Sequence, residues 1–185
     1  MALRNALLAA LIDRESSGYD LAKKFSVSVA NFWTATPQQL YRELEKMESE
    51  GLLAARVVKQ DKRPDKRIFS VTDAGRAALH AFTRQEPKPT TVRDELLVQV
   101  EALAYADVPS VRSSIETQIK QSRRRLEAYE RSLAEILGSR TQEEFVATGN
   151  RIGPYLTLQR GISFERENIS WGELALTILE RRFPS

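Results

Sequence analysis

Residues 34–53, TATPQQLYRELEKMESEGLL, contain one short helix with both ends marked, and two β-rich runs follow it at once. Thr36 can cap the first turn, Pro37 suits the first helical position, and Gln39 completes a capping box with Thr36. Gly51 sits where the helix should stop. Leu40, Leu44 and Met47 recur at i, i+4 and i+7, which makes one buried stripe. Gln38, Tyr41, Arg42, Glu45 and Lys46 are left for the outer face. LLAARVVKQ and KRIFSVT then read as two strands rich in Val, Ile and Phe, joined by DKRPD, whose Pro and Asp residues mark a turn.

Two helices precede this unit. The first covers roughly residues 3–13, with Leu3, Leu7 and Leu11 on one side. The second begins in SSGYDLAKKF, where Ser17 can cap, Asp20 lies in the first turn, and Leu21, Ala22 and Phe25 face inward. A fourth helix, TDAGRAALHAFTR, starts at Thr72 or Asp73; Gly75 near its start lowers the propensity that the alanines restore. Three helices followed by a hairpin form the winged helix-turn-helix arrangement. In that arrangement the third helix enters the DNA major groove and its N-terminal residues reach base edges. Gln pairs with adenine and Arg with guanine, each good bidentate contact giving about 1–3 kcal/mol of discrimination. Gln38, Gln39 and Arg42 are therefore candidate base contacts, and Tyr41 a candidate phosphate donor. The hairpin tip, residues 59–67, carries Lys59, Lys62, Arg63, Lys66 and Arg67 against Asp61 and Asp65, a local positive charge suited to phosphates. A polar helix face is ordinarily just solvated, and turns are polar in any case. The two features in this order and spacing carry the DNA reading.

The stretch RQEPKPTT, residues 84–91, breaks the chain, because two prolines in a polar setting stop a helix and favour an extended connector. Charge divides there too: residues 1–85 hold 14 Lys and Arg against 10 Asp and Glu, and residues 86–185 hold 14 against 15. The expected organisation is a DNA-binding domain at 1–85, a linker at 86–91 and a helical domain at 92–185. With no cysteine and a single histidine, His80, thiolate zinc sites, cysteine nucleophiles and His-rich metal sites are excluded. His80 lies among alanines and reads as a helix-surface residue. No Gly-rich phosphate loop, nucleophile elbow or metal-ligand cluster is present, so no catalytic residue, metal or cofactor is expected. The apolar run at residues 6–12 is too short for a membrane span and leads into charged residues without a cleavage-like stretch. A cytoplasmic, non-enzymatic protein with no membrane association is expected.

In the second half, residues 109–137 read as a long helix, with Ile115, Ile119, Ser122, Leu126, Tyr129, Leu133 and Ile136 at alternating steps of four and three. Arg123, Arg124, Arg125 and Arg131 read as a solvated charged face, and Gly138 marks the end. A last helix, from about residue 154 to 182, carries two apolar stripes. One contains Tyr155, Leu158, Ile162, Ile169, Leu176, Leu179 and Phe183; the other contains Phe164, Trp171, Leu174 and Ile178. One antiparallel partner covers one stripe, so the second argues for another subunit, the alternative being a bundle that buries both internally. Ile162, Ile169, Trp171, Leu174 and Ile178 are the expected dimerisation residues. Trp33, Tyr155, Phe164 and Trp171 are candidates for an effector pocket, since flat apolar ligands stack on aromatic rings, although such residues are more often core.

SGYDLAKKF, FWTATPQQLYRELEKMESEGLL and DKRIFSVTDAGRAAL together resemble the PadR family of bacterial transcriptional regulators, across residues 3–83. DELLVQVEALAYAD and LTLQRGISFERENISWGELALTILE look like the helical C-terminal region of the family's longer members. The resemblance implies a mainly α fold: an N-terminal winged helix-turn-helix with a two-stranded β wing, and a C-terminal helical dimerisation domain. It also implies a homodimeric repressor of double-stranded operator DNA, released when a small molecule such as an aromatic effector binds. Carried over position by position, Gln38, Gln39, Tyr41 and Arg42 fall on the recognition helix and Lys62, Arg63, Lys66 and Arg67 on the wing. Arg42 stands where many members have proline, and the turn lacks the glycine often found there. The competing reading is a winged-helix module that uses the same faces for protein contacts and shows little salt-dependent DNA binding.

Overall fold

The chain begins with α1 (Ala2–Leu11), whose Leu7, Leu8 and Leu11 are buried. In the computed structural model, residues 2–25, 35–59, 65–87, 89–90, 93–150 and 152–184 are described. The chain separates into two compact units, Met1–Lys88 and Pro89–Ser185.

In the first unit a two-residue strand, β1 (Ser16–Ser17), leads into α2 (Gly18–Lys24), whose N-terminus is capped by Ser17 Oγ accepting from the Asp20 amide. Next come α3 (Pro37–Ser49), β2 (Leu53–Val58), β3 (Lys66–Val71) and α4 (Asp73–Thr83). The wing is wider than expected. β3 is the middle of a three-stranded antiparallel sheet in the order β1-β3-β2, with Phe69 opposite both Ser16 and Ala55. Two serines in a row carry no strand signal, so only tertiary pairing reveals β1. Phe69 is buried, and with Leu7, Leu8, Leu11, Leu21, Phe25, Leu40, Leu44, Met47 and Leu53 it makes one cluster. α3 ends at Gly51 with φ +73°, a conformation that glycine adopts without a Cβ penalty. Thr72, not Asp73, caps α4, its Oγ1 accepting from the Gly75 amide and donating to the Gly51 carbonyl at 2.7 Å. A Cβ on Gly75 would lie 2.3 Å from the Leu52 carbonyl oxygen. The propensity lost at Gly75 is therefore the condition for α4 to abut the strand. His80 is exposed on α4.

The second unit is built on an antiparallel pair of long helices, α6 (Val108–Leu137) and α8 (Ile152–Arg182), preceded by α5 (Glu95–Glu101) and joined through α7 (Gln142–Thr148). Four of the expected α6 stripe positions, Ile115, Ile119, Ser122 and Tyr129, are buried against α8. The remaining three, Leu126, Leu133 and Ile136, pack at the edge of the Tyr129 group. Two apolar clusters form along this pair. Val111, Ile115, Ile119 and Leu179 form one cluster; Tyr129, Leu158 and Ile162 form another. Between them sits a polar node. Arg125 donates through Nε and Nη2 to the two oxygens of Glu165 at 2.6 and 3.1 Å, and Nη2 also donates to Ser122 Oγ at 3.2 Å. The Glu165 side chain is 4% exposed and that of Arg125 is 42% exposed. Arg125 thus departs from the solvated arginine face expected of its neighbours. α7 was not visible as a helix in the apolar pattern. Its signal is the capping box of Thr141 and Glu144, and its role is to place Phe145 against the Tyr155 ring at 5.3 Å between centroids. No helix among the described residues is long and apolar enough to cross a membrane.

Candidate nucleic-acid interface

The surface that could read a nucleic acid is the outer side of α3. Burying Leu40, Leu44 and Met47 fixes the helix rotation, and Gln38, Gln39, Tyr41, Arg42, Glu45 and Lys46 are left exposed. The capping box is present: Thr36 Oγ1 accepts from the Gln39 amide at 3.2 Å, and Gln39 Oε1 accepts from the Thr36 amide at 2.9 Å. Gln39 therefore has its side-chain oxygen committed, whereas a bidentate pair with adenine needs both ends of the amide. Gln38 and Arg42, one turn apart, are the better-placed pair.

The acidic residues of α3 are mostly turned to its flanks. Arg4 of α1 pairs with Glu43 at 3.2 Å and with Glu50 at 2.7 Å. The hydrogen bond to Glu50 outweighs partial burial and, with Glu43 adding to it, raises the Arg4 guanidinium above its ordinary range. Glu48 pairs with Arg67 at 2.5 Å on the wing side. Tyr41 lies over α2: a Cβ on Gly18 would come within 2.4 Å of its ring. The next residue, Tyr19, is 71% exposed. Sequence reasoning passed over Tyr19, because an exposed aromatic at a helix start has no periodicity to mark it.

The strand expected in KRIFSVT is present: of the basic residues counted with the hairpin tip, Lys66 and Arg67 open β3, opposite Val58 and Val57. Lys66 Nζ lies 2.8 Å from Asp20 Oδ2. The Arg67 guanidinium, besides its pair with Glu48, lies 5.4 Å from the Phe69 ring centre. On β2, Arg56 pairs with Glu15, and the hydrogen bond to that carboxylate raises the Arg56 guanidinium. Lys62 and Arg63 lie outside the described residues.

The second unit sorts the expected dimerisation residues into two groups. Ile162 is buried against Tyr129 and Leu158, and Ile169 packs on the Val111 cluster. The register of α8 on α6 turns both inward, burying Ile162 and leaving Ile169 half-buried. Leu174 and Ile178 are 59% and 55% exposed, Phe164 of the same stripe is 48% exposed, and Trp171 is half-buried.

Of the four aromatic residues expected around an effector, the three described ones do not converge. Trp33 lies outside the described residues. Tyr155 is buried, its hydroxyl donating to Gln142 at 3.3 Å and accepting from Gln159 at 3.0 Å. Trp171 is sixteen residues further along α8, or roughly 24 Å at the helical rise, too far to share a small-molecule pocket with Tyr155. Phe164 lies between them under Arg160. A shallow groove of about 270 Å³ lies elsewhere, between α5 and α6, lined by Leu96, Gln99, Ser114, Thr117, Gln118 and their neighbours, without an aromatic side chain.

Comparison with known proteins agrees with this layout. Residues 7–81 match the model of the transcriptional regulator PadR-like family, and residues 92–180 match that of the virulence activator alpha C-terminal region. The probable transcriptional regulator Rv1176c of Mycobacterium tuberculosis is 32% identical, over 98% of this chain and all of that protein. The negative transcriptional regulator PadR of Bacillus subtilis is 27% identical over 97% of this chain and 98% of its own. Its crystal structure with operator DNA superposes with a TM-score of 0.77, at 27% identity and covering 97% of this chain and 99% of that one. Its complex with p-coumaric acid gives 0.70, at 27% identity, over 96% and 95% of the two chains. The virulence activator AphA of Vibrio cholerae gives 0.71 at 29% identity, over 97% and 99%.

Proposed function

This chain belongs to the PadR-like family of transcriptional regulators, and on that basis we propose that it is a homodimeric, sequence-specific DNA-binding repressor relieved by a small molecule. The observation that carries the DNA reading is the outer face of α3, where Gln38 and Arg42 are exposed while the apolar residues of the same helix are buried. Gln38 and Arg42 read base edges, and Tyr41 donates to a phosphate, with Lys62 and Arg63 of the wing adding charge. The solved complex of the similar B. subtilis PadR with operator DNA supports this reading.

Division of labour follows the chain: residues 1–85 bind DNA, 86–91 connect, and 92–185 dimerise. Two-fold pairing through Phe164, Trp171, Leu174 and Ile178 suits half-sites spaced about 34–36 Å apart. Repression is favoured over activation by the name of the B. subtilis relative, and a small aromatic effector by that relative's complex with p-coumaric acid.

The test is fluorescence anisotropy with a labelled fragment from upstream of the gene, against unlabelled random DNA at two salt concentrations. If a dimer neutralises ~6 phosphates, log K falls with log salt at a slope near −5. Arg42→Ala weakens binding by about 1–3 kcal/mol and relaxes preference at one base position. Equal loss to any DNA, in wild type, would leave a protein-interaction module as the better reading.

A further inference from the structure

Two ion pairs tie the wing to the helices, Lys66 of β3 to Asp20 in the first turn of α2 and Arg67 to Glu48 in the last turns of α3, and a third joins Arg56 of β2 to Glu15 in the connection between α1 and β1. Successive side chains of a strand point to opposite faces. Lys66 and Arg67 therefore hold β3 from two sides, one toward α2 and the other toward α3. Each pair is braced. The Arg67 guanidinium stacks on Phe69, which is itself in the core. Asp20 Oδ2 accepts from the Ser17 hydroxyl at 2.8 Å, while Ser17 Oγ caps the same helix. Lys66 and Val58 are the last pair of the ladder, so the Lys66 pair holds the sheet at its tip end.

On charge alone the two carboxylates oppose DNA binding, because they stand beside the recognition face and repel phosphate. Their geometry gives them another use. We propose that Asp20 and Glu48 are positioning residues for DNA binding, holding Lys66 and Arg67 so that the wing keeps one angle to α3. Lys66 and Arg67 then act through these pairs and not as phosphate contacts. The proposal rests on the DNA reading above and assigns the wing's basic residues two different jobs within it.

The two accounts predict opposite signs. If Asp20 and Glu48 only repel DNA, Asp20→Asn and Glu48→Gln add positive charge and tighten binding. If they position the wing, the same changes weaken it. Exposed pairs shift an equilibrium by roughly fivefold at most, so each neutral variant should weaken operator binding about three- to fivefold with the salt slope unchanged. Arg67→Glu should weaken it more, and Arg67→Glu with Glu48→Arg should restore most of the loss. A phosphate contact at Arg67 predicts no such rescue.

Anisotropy with the upstream fragment decides, wild type first and then the four variants at two salt concentrations. Tighter binding by either neutral variant, or a double variant no better than Arg67→Glu, overturns the proposal. Hydrogen exchange on the same proteins without DNA gives a separate readout. Faster exchange in β2 and β3 of both neutral variants supports the strap, and unchanged exchange overturns it. Wild type without preference for the fragment would overturn the DNA role, and exchange would then show whether the strap itself stands.

Discussion

Among the described residues, ten buried side chains meet in one cluster in the N-terminal unit, whereas the α6–α8 pair divides its apolar burial between groups of four and three separated by a charged pair. The first unit exposes a polar face on α3, and its exposed apolar side chains Tyr19, Val57 and Phe82 are scattered over different elements. The second leaves Phe164, Leu174 and Ile178 about half exposed along one side of α8. A unit that encloses its own core is free to use its surface for recognition. The α6–α8 pair leaves that second apolar stripe uncovered within the chain, and in the proposed reading another copy covers it.

The severest way to break this contrast is to separate the units. A chain ending at residue 88 should fold as a monomer, with a thermal transition of its own, and bind a two-half-site operator roughly 10²–10⁴-fold more weakly because the second contact is no longer intramolecular. Failure to fold would show that the N-terminal core is not self-sufficient. Next in size is the polar node. Arg125→Ala leaves the Glu165 carboxylate buried without its cation and should destabilise the C-terminal unit by about 3 kcal/mol, at the low end for broken buried pairs because Arg125 is half-exposed. Glu165→Gln, which lets the arginine turn to water, should have the smaller effect. Urea unfolding followed by Trp171 fluorescence in a Trp33→Phe background isolates that unit.

Smaller effects sharpen the contrast. Burial, with the Glu165 charge second, holds the Tyr129 phenol above its ordinary range, against the opposing charge of Arg125. Above about pH 10 the unfolded chain therefore loses a proton that the folded chain keeps, and stability falls as pH rises through that range. Melting curves of wild type should decline more steeply there than those of Tyr129→Phe, and parallel curves would remove the assigned cause. Thr36→Ala should weaken the N-terminal unit by about 1 kcal/mol through loss of the capping box, read as a shift of its own transition with the α8 side unaffected.

Legibility in the sequence followed how local each signal was. Thr36, Pro37, Gln39 and Gly51 carry their meaning within a single helix, and the structure reproduces each of them. The steps of four and three along α6 were readable for the same reason. β1 was not, since Ser16 and Ser17 become a strand only by pairing with Phe69 and Ile68. Nor was the fate of Lys66 and Arg67: a basic residue near a turn reads as a free cation until Asp20 and Glu48 are brought beside it from other elements. On α8 the pattern marks two stripes, but only the register on α6 says that Ile162 is buried within the chain and Ile169 partly so.

Sedimentation equilibrium of the full chain beside the double variant Leu174→Asp and Ile178→Asp tests the central claim most directly. The wild type should sediment at twice the chain mass, and the variant as a monomer with unchanged helical content, because both positions are exposed in the single chain. A monomeric wild type at tens of micromolar, or a variant that still dimerises, would contradict the account.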